Sequence, residues 1–93
     1  MIAVRISVTG KVQGVFFRQH TKQLADKLNV KGFVQNMSDG TVYIEAEAED
    51  EAMQQFIEHC KKGSSASSVK NVTVNEITLI GFKKFIIRHG DSF

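Results

Sequence analysis

The apolar residues change period along the chain, and the order of those changes restricts the fold more than any other feature. Ile2, Val4, Ile6 and Val8 alternate with Ala3, Arg5, Ser7 and Thr9, the period of two that marks a half-buried strand. Phe17, Thr21, Leu24, Ala25 and Leu28 then share one face at helical spacing, with Lys22, Asp26 and Lys27 off it. Gly32 opens a second strand, Phe33-Val34, which ends at Asn36-Met37-Ser38-Asp39-Gly40. Its Asp39-Gly40 pair is a hairpin-turn signal. Val42, Ile44, Ala46 and Ala48 alternate again. Met53, Phe56, Ile57 and Cys60 return to helical spacing, with Glu49, Asp50 and Glu51 at the start and Lys61-Lys62 at the end to match the helix dipole. Gly63 is a helix stop, followed by a loop of small residues to Ser68. Val69, Val72 and Val74 mark a fourth strand, and Phe85 and Ile87 a last one.

The order β-α-β-β-α-β plus a terminal strand predicts an α+β fold, the ferredoxin-like split β-α-β sandwich. Two helices cover one face of a mainly antiparallel sheet. With 93 residues the chain has length for one such core, so residues 1–93 are expected to form a single domain and a monomer suffices. A net charge of +2 spread along the chain suits an anionic ligand but lacks the basic stripe of a nucleic-acid binder. One cysteine rules out a disulfide framework or a CxxC-type zinc site within the chain. No signal-like or membrane-spanning apolar run is present, so the default location is cytoplasmic.

The loop after the first strand is where chemistry can sit. Gln13-Gly14-Val15-Phe16-Phe17-Arg18 enters a helix N-terminus, where backbone N–H groups lack partners and the dipole is positive. Gly14 lets successive N–H groups turn toward one anion, and the planar guanidinium of Arg18 fits two phosphate oxygens. Together they describe a phosphate cradle. Taken alone, the pattern is equally that of an ordinary βα turn with a surface arginine. Asn36, at the end of the second strand, could hold a water beside a cradled phosphate or could simply bond its own turn.

Two long stretches separate these alternatives by resemblance. Val8-Thr9-Gly10-Lys11-Val12-Gln13-Gly14-Val15-Phe16-Phe17-Arg18 resembles the first acylphosphatase signature position for position. Gly32-Phe33-Val34-Gln35-Asn36, with Gly40 and Val42 beyond it, resembles the second, and Phe85-Ile86-Ile87 resembles the closing strand of that family. The resemblance implies a hydrolase that splits the carboxyl-phosphate bond of acyl phosphates, releasing inorganic phosphate, with no metal and no cofactor. It implies that Arg18 binds the phosphate with the backbone amides of Gly14, Val15, Phe16, Phe17 and Arg18, and that Asn36 orients the attacking water. The second signature usually ends in glycine where this chain has Ala48, and a small backbone adjustment is expected there. The alternative within the same fold is a phosphate-binding module without turnover.

Other signals carry less. Arg88-His89-Gly90 imitates the triplet of histidine phosphatases, but it stands at the wrong place in the chain to act so. Cys60 reads as a core thiol, His20 as solvent-facing, and the acidic run Glu45, Glu47, Glu49, Asp50 and Glu51 as a solvated strand face running into a helix start. An RNA-recognition domain would need aromatic residues on the central strands, and the first strand shows only Arg5 and Ser7 outward.

Overall fold

The computed structural model describes residues 1–89. The elements follow the order of the periodicities: β1 (Ile2–Lys11), α1 (Phe17–Leu28), β2 (Lys31–Asn36), β3 (Val42–Ala48), α2 (Asp50–Lys62), β4 (Ser68–Ile77) and β5 (Phe85–Arg88). They form one five-stranded sheet in the order β4-β1-β3-β2-β5. β3 lies between β1 and β2, and β1 between β3 and β4, so the two β-α-β units interleave as the split sandwich requires. Three of the four pairings are antiparallel, and β2 pairs β5 in parallel.

Alternation decides which residues meet the helices. Val4, Ile6 and Val8 of β1, Val34 of β2 and Val42, Ile44 and Ala46 of β3 are buried in one core with Phe17, Ala25, Met53, Phe56, Cys60 and Phe85. Phe56 of α2 meets Phe85 of β5 edge to face, with ring centroids 5.9 Å apart. Among the described residues no helix is long and apolar enough to cross a membrane. Ala48 closes β3 opposite Ile2, buried and without a left-handed backbone. An alanine in place of the usual glycine therefore costs no backbone strain at that position.

One expectation about the outer face fails. Glu47 is not part of a solvated face but 4% exposed. Its carboxylate accepts hydrogen bonds from the N–H groups of Ile80, Gly81 and Phe82, in the connection between β4 and β5. Burial pushes the Glu47 carboxyl up, but the three N–H donors outweigh that and hold it below the ordinary value. Glu49, Asp50 and Glu51 are exposed at the start of α2, as read from the sequence.

The topology gathers one end of the sheet. β1 and β2 each run antiparallel to β3, so they are parallel to one another, and β5 is parallel to β2. The C-terminal ends of all three strands therefore lie on the same edge. The loop into α1, Asn36 and the Arg88-His89 segment all emerge there.

Candidate active site

The loop into α1 is anchored by its apolar residues. Val12, Val15 and Phe17 are buried, whereas Gly14 and Phe16 are exposed. This spacing pins the chain to the core at three points and leaves the peptide groups between them facing outward. Gly14 has φ 73°, and a Cβ there would meet nothing within 4 Å, so conformation and not space makes glycine the fitting residue. Phe16, the N-cap of α1, is also left-handed at φ 61° and ψ 21°, an outlier for a bulky side chain, and its ring is 76% exposed. Alternating left-handed residues turn successive N–H groups into one concavity that suits an anion. Among the described residues, no carbonyl accepts from the N–H groups of residues 14–18. Ser64, in the loop after α2, braces the turn by donating to the Val15 carbonyl at 3.0 Å.

The two helix starts differ in kind. α2 opens with Asp50 and Glu51 in its first turn, so its own carboxylates face the positive end of the dipole. α1 has no side-chain cap and no acidic residue there, and it places Arg18 in that turn instead. A cation at the positive end of a helix is unfavourable by roughly 0.3–1 kcal/mol. The arrangement makes electrostatic sense when an anion sits between them.

Arg18 and Asn36 line a single cavity of about 340 Å³, together with Val12, Gly14, Phe16 and Phe17. The Arg18 guanidinium donates from Nη1 to the carbonyl of Arg88 at 3.1 Å, which ties it to the end of β5. The Arg88 side chain turns to the opposite face and lies over the Phe33 ring, 3.8 Å from its centroid. Asn36 ends β2 opposite Val42, and its Oδ1 is a buried acceptor with no donor among the described residues. A buried amide oxygen calls for a donor, and a water at the cavity floor would supply one.

Several participants were missed in the sequence. His89 and Ile87 line the same cavity, so the end of β5 belongs to this site although the Arg88-His89-Gly90 triplet has no phosphatase context. Gly90 lies outside the described residues. Gln13 donates from Nε2 to the carbonyls of Met37 and Thr41, both at 2.8 Å, which joins the loop to the β2–β3 hairpin. His20 is half-buried and lines a second surface depression with Phe16, Gln19 and Ser64. Cys60 is buried as read, and burial pushes its thiol up to about 12, which keeps it protonated and unreactive. No group of three or more His, Cys, Asp or Glu residues that could hold a metal occurs among the described residues.

Known proteins resemble this chain over nearly its whole length. Residues 4–91 match the Acylphosphatase family model. An acylphosphatase of Thermotoga maritima is 45% identical over 89 residues, which is 96% of this chain and 99% of the relative. The crystal structure of the Bacillus subtilis acylphosphatase superposes with a TM-score of 0.92 at 43% identity, covering 95% of this chain and 99% of that one. A HypF from T. kodakarensis contains a similar unit, with a TM-score of 0.85 at 34% identity over 100% of this chain but 12% of the larger protein. The split sandwich, the open helix start and this full-length similarity together establish that the chain belongs to the acylphosphatase family, enzymes that hydrolyse acyl phosphates.

Proposed function

We propose that the phosphate of an acyl phosphate is held by Arg18 and the backbone N–H groups of residues 14–18, and that a water positioned by Asn36 attacks it in line with the departing carboxylate. The observation that supports this most is the meeting of Arg18, the unpartnered N–H groups and the orphan Oδ1 of Asn36 at one cavity.

The chemistry asks little else of the protein. The leaving group is a carboxylate, whose pKa of about 4 makes it stable without a proton from an acid. As water adds to phosphorus, the P–O bond to the acyl group breaks and its electron pair leaves with the carboxylate. The water proton departs with the inorganic phosphate. Asn36 Oδ1, accepting from one O–H of the water, would turn the oxygen lone pair toward phosphorus. The guanidinium and the amide donors would meet the charge on the equatorial oxygens, where phosphoryl transfer gains most from fixed positive partners. Positioning and electrostatics suffice, with no covalent intermediate on the enzyme.

Asn36→Ala separates the two roles. It should lower kcat about 100-fold, the scale of a misplaced reactant, while inorganic phosphate inhibits as well as before. Lost phosphate affinity with kcat intact would make Asn36 a phosphate ligand and end its assignment to the water.

A further inference from the structure

We infer that Gln13 is a positioning residue that sets the spacing between the phosphate cradle and Asn36; the inference rests on the function proposed above. Gln13 immediately precedes Gly14, the first residue of the cradle. Its side-chain amide reaches across to the hairpin and grips both sides of its turn. Met37 directly follows Asn36, and Thr41 directly precedes Val42, the cross-strand partner of Asn36. The two carbonyls that Gln13 holds at 2.8 Å are thus each one step beyond the Asn36–Val42 pair. Those carbonyls already take part in the turn, since Met37 N–H donates to the Thr41 carbonyl and Gly40 N–H to the Met37 carbonyl. Gln13 adds the link from that closed turn to a different element. Both partners are acceptors, so the NH₂ end of the amide must face them. Side chains at other positions of the loop hold it to the core, whereas Gln13 holds it to the strand end that presents the water-binding amide. A reactant displaced by about 1 Å loses on the order of 100-fold in rate, so a link of this kind acts on the chemical step.

The test is a double-mutant cycle on the full chain, with acetyl phosphate as substrate and inorganic phosphate as competing ligand. Gln13→Met keeps the length and removes both donors. It should lower kcat about 10-fold while KM and phosphate inhibition move less than about 2-fold. In an Asn36→Ala background the same change should lower kcat less than about 2-fold, because the residue through which Gln13 acts is gone. Gln13→Asn, which retains an amide one methylene shorter, serves if the Met variant folds poorly and should show the same non-additivity. Additive losses in an active enzyme, or a loss confined to KM, would overturn the inference and leave Gln13 a general brace. A wild type without turnover would instead overturn the reading on which the inference rests.

Discussion

Phe16 and Arg18 are both poor choices for stability at their positions. A phenylalanine at φ 61° with its ring 76% exposed gains little burial and sits in a sparsely populated region. An arginine in the first turn opposes the helix dipole. Two costs within three residues of one helix start, set where backbone donors are open, fit a turn shaped for an anion and not for its own stability. Phe16→Asn tests the first cost, since asparagine enters the left-handed region more easily and little packing is lost. It should stabilise the protein by about 0.5–1 kcal/mol in urea unfolding. Destabilisation would mean that the exposed ring makes a contribution its exposure does not suggest.

Element by element, the β4–β5 connection is tied to β3 through Glu47. Three N–H groups converge on one buried carboxylate. Glu47→Gln should cost about 1.5–3 kcal/mol near neutral pH, the range for hydrogen bonds to a charged group. The pH dependence has a definite sign. The folded-state pKa is lowered, so the contribution is complete above the unfolded carboxyl value and is lost as pH falls through the folded one. Chemical denaturation of wild type and variant should therefore show a gap that begins to narrow as pH falls below the unfolded carboxyl value of about 4.3 and keeps narrowing on further acidification, and a gap that does not change with pH would show that the charge is not what matters. All seven elements could be read from apolar period, the Asp39-Gly40 turn and the charges at the ends of α2, because those signals are local. Glu47 could not. Alternation puts it on the face away from the helices, and nothing near it in sequence says that residues 80–82 fold back over that face. The same holds for Gln13 and His89. Arg18 and Asn36 stood in long motifs, while Gln13 reaches partners 24 and 28 residues away and His89 arrives through the parallel β2–β5 pairing.

For the whole molecule, the interleaved topology does the assembling. It brings the C-terminal ends of β1, β2 and β5 to one edge, so residues from Val12 to Gln19, Asn36, Ile87 and His89 share a cavity without any long loop. Every strand either carries part of the site or pairs with a strand that does. On the mechanism proposed above, this edge hydrolyses acyl phosphates through Arg18 without metal. The most direct test is acetyl or benzoyl phosphate hydrolysis in EDTA by the wild type and by Arg18→Ala. Turnover by the wild type, unaffected by the chelator and reduced about 1,000-fold or more in the variant, is the outcome predicted. An active Arg18→Ala enzyme, or a wild type that needs metal, would contradict the assignment, and a wild type that binds phosphate without turning over substrate would leave a phosphate-binding module.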